Sequence, residues 1–137
     1  MPFSTRIKVR FGDVDVAGQV YYANIFHYLH IAHEDFFLVR CGVGYHELTL
    51  ERIGFPPVSA KAEFLAPLKY GDDADIEVTI ARLGNTSVTL EYSIKRVADG
   101  VLCARCTNVL VAINLDTRKS ISIPDKYREA FLRPDNS

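Results

Sequence analysis

A chain of 137 residues, 48% of them hydrophobic, can bury a real core and is expected to form one domain. Sixteen basic and seventeen acidic side chains, spread without a basic run, give a formal charge of −1 and exclude nucleic acid as the main partner. No apolar stretch is long enough to cross a bilayer, the first residues lack the layout of a secretion signal, and three cysteines fit a reducing compartment. The expectation is therefore a cytoplasmic protein with no membrane partner.

The chain opens on a strand-like run in which Ile7, Val9 and Phe11 alternate with Lys8 and Arg10, which places Asp13 at the strand's end. From Ile25 onward the apolar positions recur at helical spacing, through Tyr28 or Leu29, Ala32, Phe36 and Val39, until Gly42 supplies a stop. Phe26, Ile31 and Phe37 make this helix apolar on most sides, so sheet or a partner subunit must enclose it. Between strand and helix lie two acids, Asp13 and Asp15, and Gly18 in the turn, where a glycine opens backbone angles closed to other residues. The first helical turn, at Tyr21, Tyr22 and Ala23, carries N–H groups without intrahelical partners and the positive end of the helix dipole. A carboxylate beside such amides suits attack on an activated carbonyl, the amides receiving the oxyanion. On spacing alone a plain turn accounts for the acids, with Asp13 or Asp15 capping the helix or bonding its own backbone. Against that stands the coincidence of two acids, a glycine, two tyrosines and Asn24 in one crossing, where a cap needs only one of them.

After Gly42 a short helix is expected over residues 45–52, then a break at Gly54-Phe55-Pro56-Pro57. Strands follow at 58–66, where Ala60, Ala62 and Phe64 alternate with Lys61 and Glu63, around Ile76–Ile80, and around Val88–Ile94. Asp99-Gly100 signals a hairpin, the run Val101–Ile113 reads as a central strand, and a last strand near Lys119–Ile123 leads into Pro124 and a helix to about Leu132. The class is α+β: an antiparallel sheet of about five or six strands wrapped around one long central helix, in a single domain over 1–137. Cys103 and Cys106 sit three apart on a strand, where their side chains diverge, so no metal site is expected there. His27, His30 and His33 fan too widely around the helix for one ion and read as a subunit-contact or solvated face. Glu47 and Glu51 read as solvated carboxylates that could assist water.

The stretch Gly12-Asp13-Val14-Asp15-Val16-Ala17-Gly18-Gln19-Val20-Tyr21-Tyr22-Ala23-Asn24 resembles the signature of the hotdog-fold acyl-CoA thioesterases of the 4-hydroxybenzoyl-CoA thioesterase type, and the element order extends the likeness over nearly the full length. The resemblance implies a hotdog fold and hydrolysis of an aromatic or short-chain acyl-CoA to free acid and coenzyme A, with no metal or cofactor. It makes Asp15 the catalytic carboxylate, nucleophile or general base, and the Tyr22 N–H the group that polarises the thioester carbonyl. It sets Gly18, Val20, Tyr21, Asn24 and His30 on the substrate side, His30 where the family's 4-hydroxybenzoyl enzyme has an Asp facing the ring hydroxyl. Tyr22 stands where short-chain relatives usually carry His, which leans the reading toward an aromatic acyl group. The turn at residues 82–87 has only Arg82 as a base, so the family's coenzyme contacts do not carry over. Alternatives are an acyl-carrier-protein thioester as substrate, or a non-catalytic acyl-thioester-binding protein. A hydratase would need a His five residues after an acid, and Val20 and Gly18 stand there instead. A sheet wrapped on one helix leaves edges and an apolar face, so a homodimer or homotetramer is expected, with the site at a subunit boundary.

Overall fold

A computed structural model of the chain describes residues 2–133; Met1 and residues 134–137, the ends of the expected domain, lie outside it. Strand β1 (Phe3–Lys8) is followed by a 3-10 turn at Phe11–Asp13 and helix α1 (Tyr22–Asp35), which runs on into a π-helical turn at Phe36–Arg40. Then come α2 (Tyr45–Leu50), β2 (Ile53–Gly54), β3 (Pro57–Phe64), β4 (Asp73–Leu83), β5 (Ser87–Arg96), β6 (Leu102–Val111), β7 (Ile113–Asn114) and α3 (Asp125–Phe131). The main sheet has five strands in the order β1-β4-β5-β6-β3, every neighbouring pair antiparallel, while β2 and β7 form a small ribbon. Among the described residues no helix is long and apolar enough to cross a membrane.

Alternation builds the core. Ala74, Ile76 and Val78 on β4 and Val88, Leu90, Tyr92 and Ile94 on β5 are buried, and they join Ile25, Tyr28, Leu29, Ala32 and Phe36 of the helix in one cluster. The sheet thus wraps α1 as the period-two and period-3.6 patterns require. At Asp99-Gly100 the β5–β6 turn forms, with Gly100 at φ +70° and the Arg96 guanidinium clamped on the Asp99 carboxylate at 3.0 Å.

Four expectations are corrected. Phe11 does not continue the first strand: ladder bonding ends at Val9, whose N–H reaches Asp72 O, and the Asp13 carboxylate then draws the Arg10 N–H into a turn. Phe11 is left exposed, edge-on to Tyr70. Val39 is not part of the buried stripe. The Cys41 N–H bonds to Phe36 O, five residues back, and the extra residue in that turn rotates the helix so that Phe36 and Phe37 point inward and Val39 outward. Residues 119–123 form no strand; Ser120 makes one bridge to Ile113, and the Ile121 and Ile123 N–H groups go to two separate acceptors, Ala112 O and Asn85 O. Glu47 and Glu51 are not simply solvated either. Lys126 of α3 pairs with both, and the Tyr127 hydroxyl donates to Glu51, which fastens α3 to α2 and holds the Glu51 carboxyl below its ordinary range.

Strand β3 is one of the two edges of the main sheet, β1 being the other. It has one ladder partner, β6, and Val58, Phe64 and the following Leu65 are exposed. Of the alternating positions Ala60, Ala62 and Phe64, Ala62 packs partly against the core while Ala60 and Phe64 are exposed in a single chain.

Among the described residues His33 is the one buried polar or charged side chain of the core, packed edge-on against Phe37 with the Tyr45 hydroxyl 3.0 Å from its Nε2. Burial, and then the nearby His30, push its pKa from 6.5 down to about 4. Folded His33 is therefore neutral where the unfolded chain already binds a proton. The stability this confers is complete above pH 6.5 and is lost as pH falls toward 4, by about 2 kcal/mol at pH 5. Urea melts between pH 7.5 and pH 5 are expected to show a steeper loss for the wild type than for His33→Gln; parallel losses would mean that His33 is protonated within the fold.

Candidate active site

The segment between β1 and α1 folds as a small hairpin. Val14 bridges Val20, the Asp15 N–H donates to Gln19 O at 2.9 Å, and the Gly18 N–H donates to Asp15 O at 2.9 Å. Gly18 closes the tip at φ +81°, in the left-handed region where a side chain would be strained. The hairpin is tied to the sheet by Val20 N–H to Leu68 O and by a bridge from Gln19 to Lys69.

Asp13 fastens this hairpin to the helix. Its carboxylate accepts from the Tyr28 hydroxyl at 2.8 Å and from the Arg10 N–H at 3.0 Å. Its carbonyl accepts from the Tyr21 N–H and from Asn24 Nδ2, each at 3.0 Å. Burial, then the bond to Asp13, hold the Tyr28 phenol well above its ordinary range, so it stays a donor.

Asp15 is half-buried, and its Oδ1 accepts from the Ala17 N–H at 2.9 Å, a local turn that fixes the carboxylate and leaves Oδ2 with no hydrogen bond among the described residues. At the helix start the Tyr21 N–H is taken by Asp13 O and the Asn24 N–H by Tyr21 O. Tyr22 and Ala23 are thus the open donors of the first turn. The Tyr21 phenol is raised above its ordinary value, first by the Tyr22 hydroxyl and in smaller part by the Asp15 charge, which places the carboxylate's field at the helix start.

Beside these amides opens a cavity of about 410 Å³, walled by Gln19, Val20, Tyr22 and Ile25 on one side and by residues 64–68 with Cys103 on the other. Of the residues singled out from sequence, Val20 and Tyr22 line it directly. Asp15 does not line it but pairs across the hairpin with Gln19, which does. Gly18 and Tyr21 are exposed and outside its lining, and Asn24 is spent on the Asp13 carbonyl. His30 is elsewhere: two turns along the helix, paired with Glu34 at 3.6 Å, it borders a second cavity of about 480 Å³. The far wall, Phe64 to Leu68, was not marked from sequence. Its signal was an apolar run closed by Pro67 at the end of a strand, with Phe64 edge-on to Tyr22. The three cysteines are buried and form no disulfide among the described residues; Cys103 contributes to the cavity wall, and burial raises its thiol above the ordinary value.

A carboxylate fixed through one oxygen, two open amides and, beside Tyr22, a partly apolar hollow are groups able to hold a carbonyl carbon, polarise its oxygen and attack it.

The family model described as the thioesterase-like superfamily matches residues 9–131. The chain is 31% identical over 127 residues to the 1,4-dihydroxy-2-naphthoyl-CoA hydrolase of Nostoc punctiforme, covering 92% of this chain and 84% of that one. It is also 31% identical over 130 residues to the 4-hydroxybenzoyl-CoA thioesterase of a Pseudomonas species, covering 89% and 92%. The solved structure of BH1999 gentisyl-coenzyme A thioesterase superposes with a TM-score of 0.85 at 32% identity, over 94% of this chain and 99% of that one. On the match across residues 9–131 and the sheet wrapped on α1, the chain belongs to the thioesterase-like superfamily and has the hotdog fold.

Proposed function

We propose that this protein hydrolyses the thioester of an aromatic acyl-CoA to the free acid and coenzyme A. The observation that carries the reading is the open N–H group at Tyr22, a residue that lines a cavity walled also by Gln19 and Val20 of the Asp15 hairpin. The three related proteins named above all act, by their names, on CoA thioesters of hydroxylated aromatic acids. The thioester carbonyl oxygen sits at the Tyr22 N–H, where the helix dipole and the amide stabilise the charge that develops on it. The Asp15 carboxylate then acts in one of two ways. It adds to the carbonyl carbon and expels the CoA thiolate, leaving a mixed anhydride that water opens; or it takes a proton from water as the water adds to the same carbon. Asn24 and Tyr28 serve as positioning residues through Asp13.

The same reading includes a homodimer formed through β3, whose outer edge and apolar residues are bare. Antiparallel pairing of two such edges about a two-fold axis sets the Phe64 end of one copy, at its helix-start cavity, beside the Pro57 end of the other. The catalytic site then lies on the subunit boundary.

In a free-thiol release assay on aromatic and aliphatic acyl-CoA esters, Asp15→Asn is expected to lower kcat by about 100-fold or more with the fold intact; unchanged turnover would remove Asp15 from the chemistry. Tyr28→Phe, which takes the hydroxyl from Asp13, is expected to cost about 1 kcal/mol of stability and to lower kcat by less than Asp15→Asn does. Sedimentation at micromolar concentration is expected to give twice the 15.4 kDa chain mass or a higher even multiple; a monomer would contradict pairing through β3.

A further inference from the structure

The far wall of the helix-start cavity, Phe64 to Leu68, is gripped from behind by the hairpin that joins β5 to β6. Beyond Phe64, where β3 ends, this wall is loop, and a loop keeps its place only where its backbone groups find partners. The Leu65 and Ala66 N–H groups both reach Cys103 O, at 2.8 and 3.2 Å, and Leu68 O accepts from the Val20 N–H at 2.8 Å. Between these ties stands Pro67, which has no N–H to give. Its carbonyl accepts from Arg96 Nη1 at 2.6 Å.

Arg96 can hold the wall because it is itself held. It is the last residue of β5, its side chain is only 20% exposed, and its other two nitrogens are spent on one carboxylate. Nε lies 3.1 Å from each oxygen of Asp99 and Nη2 lies 3.0 Å from Oδ2, the fork that a planar cation and a carboxylate share. That pairing keeps the Asp99 carboxyl below its ordinary range, so the clamp stays charged. Asp99 in turn is placed by its own turn: its Oδ1 accepts from the Val101 N–H at 3.1 Å, and the Gly100 N–H donates to Arg96 O at 2.8 Å. The Asp99-Gly100 hairpin therefore aims Nη1 at the wall residue whose nitrogen cannot be tied. Cys103, which lines the cavity, brings its Sγ to 3.9 Å from the same carbonyl.

We propose that Arg96 is a positioning residue for thioester binding: oriented by Asp99, it fixes Pro67 and with it the wall against which the acyl-CoA ester lies, opposite Tyr22. The inference rests on the thioesterase reading but concerns binding rather than the chemical step. Asp15 and the first turn of α1 are placed by the bonds that converge on Asp13, and Arg96 makes none of them. A wall touches the ester alike before and during reaction, so loosening it weakens ground state and transition state together. KM then rises while kcat holds.

The test compares Arg96→Met, which keeps the apolar stem and removes every donor, with Arg96→Lys, whose single ammonium cannot serve Asp99 and Pro67 in the same fork. Steady-state kinetics on an aromatic acyl-CoA ester are run beside calorimetric dissociation constants for a non-hydrolysable thioether analogue of that ester. Arg96→Met is expected to raise both KM and the dissociation constant by about tenfold, with kcat within about twofold of the wild type. Arg96→Lys is expected to fall between the two. Asp99→Asn, which leaves Arg96 in place but removes the charge that orients it, is expected to raise KM by a smaller factor. Thermal melts give the folded fraction of each variant, and should Arg96→Met not fold, the other two carry the comparison. A purely structural clamp would lower the melting temperature or the active fraction without moving affinity. Dissociation constants unmoved in the folded variants, a fall in kcat with KM unchanged, or no binding of the analogue to the wild type therefore overturn the proposal. Turnover that needs Asp15 yet ignores Arg96 would leave the thioesterase reading in place and remove this assignment alone. Analogue binding that weakens in Arg96→Met, with no ester cleaved by the wild type, would keep the clamp and remove the hydrolysis.

Discussion

Four hydrogen bonds converge on Asp13, and the geometry of the candidate site hangs from them. Two hold its carboxylate, from the Arg10 N–H and the Tyr28 hydroxyl; two use its carbonyl, from the Tyr21 N–H and the Asn24 side chain. The donors come from the end of β1, the residue that caps α1, its first turn and its second turn. One residue therefore fixes where the helix begins relative to the strand before it. The Asp15 hairpin is strung between Asp13 and the helix cap, so its carboxylate inherits that placement. A hydrogen bond to a charged acceptor is worth roughly 1.5–3 kcal/mol, enough to hold a seven-residue crossing that buries little of its own surface.

The division of labour between the two acids is one of backbone reach. Asp13 points back into the protein and is consumed by structure. Asp15, two residues on, belongs to a strand of the hairpin and can spare an oxygen, because its local turn to Ala17 uses only one. The sheet then supplies the opposite wall. After β3 the chain passes through Leu65 and Ala66, whose N–H groups both reach Cys103 O, and this closes the hollow beside Tyr22. Helix, hairpin and strand end each bring one ingredient, and none of them is a site alone.

Much of this was legible in the residues. The alternation in β4 and β5, the apolar recurrence in α1, Gly18 at a positive φ and Asp99-Gly100 at a hairpin are local signals, and local signals survive into the fold. What could not be read was set by partners distant in sequence. Nothing near Asp13 announces that Tyr28, fifteen residues away, will claim its carboxylate, so the plain-turn reading and the catalytic one looked alike for both acids. In the structure Asp13 is a structural tie, and Asp15 makes a local turn while its second oxygen has no hydrogen bond among the described residues. Val39 was misplaced because a π turn shifts the helical phase without leaving a mark in the hydrophobic spacing. His30 shares a helix face with Tyr22, but the cavity it borders is separated from the first by a length of helix that no motif encodes.

The uncovered edge of β3 has a bearing on how the chain comes to be folded at all. Pro57 to Phe64 lies far from β6 in sequence, and it pairs there with one side only. Where copies of the chain are scarce, that strand is held by half the bonds it could make, and its apolar residues meet water. In the dimer proposed above, association through β3 would remove both deficits, and resistance to unfolding would then be a matter of mass action rather than a fixed property of one polypeptide. The same ladder of unsatisfied backbone groups offers foreign strands a template during synthesis, and on that proposal timely meeting of identical copies is the safeguard against aggregation.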